Sequence, residues 1–145
     1  MNLKQRVFEI LNRTHLMSLG ICDEKGVWVA DVIFVFDDEL NVYWISYPDT
    51  RHSKSIRGKS VVAGSITATN NNKEPGLGIQ FEGTAEKVDG ELYEMAVKYN
   101  EKRGRDVPVK SKDFLGERSW YVLHPTKIRL IDEENFGFNT QDIEL

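Results

Sequence analysis

The chain of 145 residues has one cysteine, no long hydrophobic run and no excess of basic residues. Because the single Cys22 cannot form an intramolecular disulfide, and the first residues are amphipathic and lack a signal-peptide core, we expect a cytoplasmic protein. No apolar run approaches the roughly 18 residues that a membrane-spanning helix requires. We therefore expect no membrane partner.

The charge is also uneven along the chain. The sequence contains 19 basic and 23 acidic residues, a net charge of −4, which argues against a nucleic-acid partner because phosphate backbones require a basic surface. Residues 50–60, TRHSKSIRGKS, nevertheless hold four Lys and Arg residues and no acid. This leaves 15 basic and 23 acidic residues, a net charge of −8, in the rest of the chain. A local cationic site on an acidic protein is the feature to explain.

Several catalytic patterns are absent. The three histidines and the cysteine are scattered without a C-x-x-C or H-E-x-x-H pair, so we expect no metal site. Ser65 lacks the flanking glycines of a hydrolase elbow. The pair Gly76 and Gly78 is not a dinucleotide fingerprint, since Phe81 occupies the third glycine position. No catalytic dyad is predicted.

The hydrophobic period predicts a mainly β protein. One amphipathic helix is expected from Asn2 to Arg13, with Asn2 as its N-cap. Alternating apolar and β-branched residues then predict six strands, near residues 15–22, 27–36, 41–46, 61–69, 78–88 and 118–131. Pro125 is expected to interrupt the last strand.

Two further helices are predicted: a short one that Thr50 caps and Gly58 ends, and one over residues 90–104. Because the connections are short, the strands should be antiparallel; strands and helices do not alternate as a Rossmann fold requires. We predict one domain, residues 1–145, folded as a six-stranded antiparallel split β-barrel with short helices.

The basic segment lies where a strand leads into a helix start. Hydroxyl, guanidinium, imidazole and ammonium donors follow one another there, in Thr50, Arg51, His52, Ser53 and Lys54. Such donors at a helix start favour an anion, and the preceding strand, with Trp44, offers an aromatic wall. The alternative is a solvated basic helix face. The context favours a site for a phosphorylated aromatic ligand.

The order of these segments resembles the pyridoxamine 5′-phosphate oxidase-like, FMN-binding split barrels. The resemblance covers residues 15–88 and is carried by the segments HLMSLG, VWVADVIFVF, YWISYPDTRHSK and GIQFEG. The chain further resembles a small, poorly characterised bacterial subgroup in the segments TRH, IQF and the late NFGF. The resemblance implies a homodimer with FMN at the subunit interface.

The resemblance also implies roles for individual residues. Thr50, Arg51 and His52 match the residues that hold the FMN phosphate, and Gln80 matches a glutamine at the isoalloxazine edge. Two strands would line the flavin with Val29, Ala30, Asp31, Val32, Trp44, Ile45 and Ser46. The aromatic tail of residues 135–138 would cover the partner's flavin or pack locally.

The departures from the family limit the expected activity. The oxidase has basic residues where this chain has Val29 and Phe34, and a lysine where it has His52. Its C-terminal substrate-binding Trp and Arg have no match, so vitamin B6 oxidation is not expected. We expect an FMN-dependent oxidoreductase or reductase with a nicotinamide donor and an unknown small-molecule substrate. The alternatives are a non-catalytic flavin-binding or sensing protein, or a barrel that binds deazaflavin or haem.

Overall fold

The computed structural model describes residues 1–110 and 112–145. Its strands are β1 (Leu16–Asp23), β2 (Gly26–Phe36), β3 (Val42–Ser46), β4 (Ser60–Thr67), β5 (Leu77–Val88), β6 (Ser119–Asp132) and β7 (Gln141–Ile143). Its helices are α1 (Leu3–Arg13), α2 (Arg51–Ser55), α3 (Tyr93–Lys102) and α4 (Glu133–Phe136). Among the described residues, no helix is both long and apolar enough to cross a membrane.

All strand pairs are antiparallel, in the order β3-β2-β1-β4-β5-β6-β7. β3 also pairs with β6, which closes six strands into a barrel and confirms the predicted fold class. β7 lies outside the closed barrel, along β6. Neither β7 nor α4 was predicted, because elements of three and four residues are too short to show a hydrophobic period.

Alternate residues of the strands fill the barrel, and α1 packs against β5 and β7. Trp44 and Tyr121 stack inside it with ring centroids 6.0 Å apart, and both are almost fully buried. Helix α1 contributes Val7, Ile10 and Leu11 to the same core. The predicted cap is confirmed, since the Asn2 side chain accepts a hydrogen bond from the Gln5 amide at 3.1 Å.

Helix α3 covers the outside of β2, β3 and β6 and forms a second apolar cluster there. Tyr99 packs edge-on against Trp120, whose indole N–H donates to the carbonyl of Glu91 at 2.7 Å. Ala96 is buried in the same cluster, with Leu92 and Met95 packed against it, as the predicted helical face requires. This layer explains why β3 is apolar on both faces.

The prediction that Pro125 interrupts the last strand was wrong, because a β-bulge accommodates it within β6. Glu82 pairs with Lys127 and Gly83 with Pro125, so Thr126 is the extra residue. The Thr126 hydroxyl donates to the carbonyl of Glu82 at 3.2 Å. A bulge is a position where a strand tolerates a residue without an N–H.

Candidate functional site

The start of α2 carries a small cluster of hydroxyl groups. Thr50 caps the helix, as predicted, by accepting a hydrogen bond from the amide of Ser53 at 3.3 Å. The Thr50 and Ser53 hydroxyl oxygens lie 2.7 Å apart, and Ser53 is buried. Thr50 Oγ1 also lies within 3.0 Å of the Tyr47 carbonyl oxygen. These contacts fix the hydroxyl of Thr50 at the start of α2.

His52 faces this cluster from the other side. Its Nε2 lies 2.9 Å from Oγ of Ser46 and 3.4 Å from Oγ1 of Thr50. Burial lowers the pKa of His52, so the imidazole is neutral near neutral pH. His52 can therefore share a hydrogen bond with a ligand but does not supply the positive charge that the resemblance implied for its position.

Arg51 is held by a partner that the sequence reading missed. Its Nε and Nη2 donate to the two carboxylate oxygens of Asp23 at 2.9 and 3.1 Å, and its guanidinium carbon lies 4.8 Å from the centroid of the Trp28 ring. The hydrogen bond from Arg51 holds the pKa of Asp23 below its usual range. The arginine is therefore fixed and ionised at the turn between β1 and β2.

A cleft of about 430 Å³ opens beside this ion pair. Four basic side chains line it, Lys25, Arg51, Lys54 and Arg57, together with three acids, Asp23, Glu24 and Asp49. Residues 50–60 contain no acid, but the fold places acids beside them. Asp23 and Glu24 come from the turn between β1 and β2, and Asp49 directly precedes Thr50. This corrects the expectation of an uncompensated cationic site.

The other predicted site residues lie on both sides of the barrel wall. Val29 and Asp31 point outward, and the Asp31 carboxylate accepts a hydrogen bond from Ser18 at 2.7 Å. Ala30 and Val32 alternate with them, and Val32 is buried in the core. The outer face of β2 is therefore the part that can meet a ligand.

The side chains predicted on β3 do not line a surface site. Trp44 lies inside the barrel, fully buried against Tyr121, and Ile45 packs under α3. Ser46 is buried and contacts His52. The period of two places alternate residues of this strand in two different apolar layers, with Trp44 in the barrel core and Ile45 under α3.

Gln80 is exposed on the outer face of β5. It pairs with Ser65 of β4, which pairs with Ser18 of β1, which pairs with Asp31 of β2. Since neighbouring strands are about 4.8 Å apart, Gln80 lies on the order of 14 Å from Asp31 across the sheet. Within one protomer, β1 and β4 therefore lie between Gln80 and the outer face of β2.

An exposed apolar strip crosses the outer face between these positions. Val27, Val29 and Val61 are 81%, 62% and 72% exposed, and Gly20 and Ala63 lie in register beside Val29. A run of apolar side chains at this exposure is typical of a binding surface.

A larger cavity of about 760 Å³ lies elsewhere, between α1, α3 and the end of β2. Its most unusual member is Lys102, whose Nζ lies 3.8 Å from the centroid of the Phe34 ring and donates to the Leu11 carbonyl at 3.1 Å. Burial lowers the pKa of Lys102 from 10.5 to about 8. We call this cavity the α1–α3 groove.

Replacing Lys102 with methionine should raise the free energy of unfolding at pH 7 by about 1 kcal/mol, since the variant no longer buries a charge. The pKa of Lys102 is lower in the folded chain than in the unfolded chain, so the buried charge destabilises the unmodified chain. This cost is fully present below about pH 8 and disappears as the pH approaches 10.5, and the advantage of the methionine variant should disappear with it. Urea unfolding at pH 7 and pH 10 measures the difference. Lys98→Met, an exposed position on the same helix, should change stability little; equal gains in both variants would contradict the burial argument.

The described residues contain no group of three or more His, Cys, Asp or Glu side chains that could hold a metal ion. The site therefore offers hydrogen-bond donors, one fixed guanidinium and an apolar face.

A family profile described as pyridoxamine 5′-phosphate oxidase matches residues 3–132. The chain belongs to this family. Among curated relatives, a UPF0306 protein of Photorhabdus laumondii is 29% identical over 93 residues, which cover 63% of this chain and 65% of that protein. The chain thus spans just under two thirds of that relative. The UPF0306 protein YhbP of Escherichia coli O157:H7 is 26% identical over 137 residues, 93% of this chain and 88% of that protein.

Solved structures agree on the fold of this family member. General Stress Protein 26 from Bacillus anthracis superimposes with a TM-score of 0.71 at 17% identity and full coverage of both chains. The haem storage protein HutZ from Vibrio cholerae gives a TM-score of 0.65 at 17% identity, over 88% of this chain and 94% of that one. At these identities the similarity establishes the barrel alone.

Proposed function

We propose that this family member is an FMN-binding protein that works as a homodimeric oxidoreductase. The observation that supports it best is the cleft beside α2, where Arg51 is held by Asp23 directly after the Thr50 cap and lies against the Trp28 ring of β2. A terminal phosphate fits donors of this kind, because charge-assisted hydrogen bonds favour a doubly charged anion. Lys54 lines the same cleft and adds an ammonium group.

The apolar strip on the outer face is the proposed floor for the flavin ring. Val29 lies in register with Gly20 and Ala63 on the two neighbouring strands. Because glycine and alanine have small or no side chains, this part of the outer face leaves room for a planar ring system. Asp31 lies on the same face, two residues along β2, and its carboxylate is oriented by Ser18. These contacts would orient the ring, while the flavin when bound supplies the hydride or electron transfer.

The separation of Gln80 from α2 supports a dimeric site. Gln80 lies across β1 and β4 from the outer face of β2, so within one protomer it is remote from the phosphate end. A two-fold contact through the exposed strip would bury Val27, Val29 and Val61 and bring Gln80 of the second copy toward the ring. Phe138, which is 92% exposed, is available to cover that ring.

Haem is the second candidate ligand. The similarity in fold to a haem storage protein favours it, as does the replacement of two basic family positions by Val29 and Phe34. The acids that line the cleft beside α2 also weaken its attraction for a phosphate. FMN remains the first proposal because Arg51 and Thr50 are already arranged by Asp23 and Ser53.

Arg51→Ala should weaken FMN binding tenfold to a hundredfold, since a hydrogen bond to a charged group contributes about 1.5 to 3 kcal/mol. Lys59→Ala is the matched control, because Lys59 is exposed beyond α2 and does not line the cleft. Titration followed by flavin fluorescence measures both variants, with light scattering to establish whether the protein is a dimer. Equal losses in the two variants would indicate a diffuse basic patch, and a monomer that binds FMN at full strength would overturn the interfacial site.

A further inference from the structure

The α1–α3 groove brings several cations to an aromatic floor. Lys98 and Lys102 lie four residues apart on α3, so their side chains share one face of the helix. Arg13 lines the groove from the end of α1. In the described part of the chain, the two lysines form no ion pair, although Asp38 and Glu101 line the same groove.

Each ammonium group already has one backbone partner. Lys98 Nζ donates to the Phe36 carbonyl at 2.9 Å, and Lys102 Nζ donates to the Leu11 carbonyl at 3.1 Å. An ammonium group has three donors, so both lysines retain N–H groups that can face the groove. Two like charges at this spacing repel each other, and an anion between them would remove that repulsion.

The floor of the groove is apolar. Phe8 of α1 and Phe36 of β2 lie with their ring centroids 5.9 Å apart, and Val35 lines the groove beside them. A volume of about 760 Å³ falls within the range of small-molecule sites. The groove shares no lining residue with the cleft beside α2.

We propose that the α1–α3 groove binds a small carboxylate with a planar apolar body, its carboxylate between Lys98 and Lys102 and its ring over Phe8 and Phe36. The carboxylate replaces water as the acceptor of the free ammonium protons. The aromatic side chains contribute apolar contact area, and Gln5 and Asn12 on the α1 face of the groove offer amide groups at its rim. This site is separate from the proposed flavin site.

The test uses 2-naphthoate as the probe and 2-naphthalenemethanol as its uncharged counterpart, with the full chain and calorimetric titration. We expect saturable binding of naphthoate and binding of the alcohol that is weaker by about tenfold or more. Lys102→Met and Lys98→Met should each weaken naphthoate binding about tenfold. Lys73→Met, exposed in the loop between β4 and β5, should leave it unchanged.

Amide chemical-shift mapping locates the bound probe. The proposal expects perturbations in α3, at the end of α1 and around Phe36, and it expects them to persist with saturating FMN present. It is overturned if the folded protein shows no saturable binding at about 1 mM probe. It is also overturned if the alcohol binds as tightly as naphthoate, if both lysine variants bind like the unmodified chain, or if FMN displaces the probe.

Discussion

Replacing Asp132 with alanine is expected to lower the free energy of unfolding by about 3 kcal/mol, because it removes a buried charge that three groups share. The Asp132 side chain is 1% exposed and accepts from Arg6 at 2.9 Å and from the side-chain amide of Asn135 at 2.7 Å. Asp132 also caps α4 through the Asn135 amide. The substitution leaves Arg6 with Glu9 alone and removes the ion pair between α1 and the end of β6.

The pH dependence of the same variant provides a second observable. Burial alone would raise the pKa of Asp132, but the hydrogen bonds from Asn135 and Arg6 outweigh it and leave the pKa below its usual range. A lowered pKa contributes stability that is present above about pH 4 and is lost as the pH falls through the folded pKa. Asp132→Ala should therefore lose less stability on acidification than the unmodified chain.

Asp142→Ala is the matched control for this prediction. Asp142 pairs with Arg129 at 2.8 Å, but the two side chains are 56% and 38% exposed. Solvent screens such a pair, so its removal should change stability much less than Asp132→Ala does. Urea unfolding of both variants at one protein concentration makes the comparison, and similar losses would contradict the role assigned to burial.

Replacing Gly83 with alanine should cost about 3 kcal/mol, because the bulge between β5 and β6 leaves no room for a side chain there. An added Cβ at Gly83 would overlap the carbonyl oxygen of His124 and come within 2.9 Å of the Pro125 Cα. Both contacts are with backbone, which cannot turn aside as a flexible side chain can. The strands would have to separate where the bulge sets the register of β6.

Gly20→Ala tests whether the loss comes from this close approach or from glycine substitution in general. Gly20 also lies within a strand, but an added Cβ there would meet the Ala63 carbonyl oxygen at 3.6 Å, an ordinary contact. Its free energy of unfolding should change by less than about 1 kcal/mol. Thermal or urea unfolding serves for both, and equal costs at the two glycines would contradict the bulge argument.

The barrel was predictable because its determinants are local. Alternating residues identified β1 to β6, and the caps at Asn2 and Thr50 located the starts of α1 and α2. The order of these elements carried the family resemblance, and the profile match over residues 3–132 confirms the family. The bulge at Pro125 was missed because it depends on the neighbouring strand, where Gly83 permits the close approach.

The site was less predictable because its contacts join distant parts of the chain. Asp23 precedes Arg51 by 28 residues, and the closing turn of the β1–β2 hairpin brings the two together. The sequence signal that could have indicated this ion pair was an acidic residue in the β1–β2 turn together with a basic helix elsewhere in the chain. The resemblance placed the strand of Trp44 at the flavin, and the period of β3 directs the Trp44 side chain itself into the core.

Titration of the full chain with FMN and with riboflavin, which lacks the phosphate, tests the central proposal most directly. If the cleft beside α2 holds the phosphate at Arg51, FMN should bind saturably and at least about tenfold more tightly than riboflavin. Equal affinities for the two flavins, or no saturable binding of FMN, would contradict the proposal.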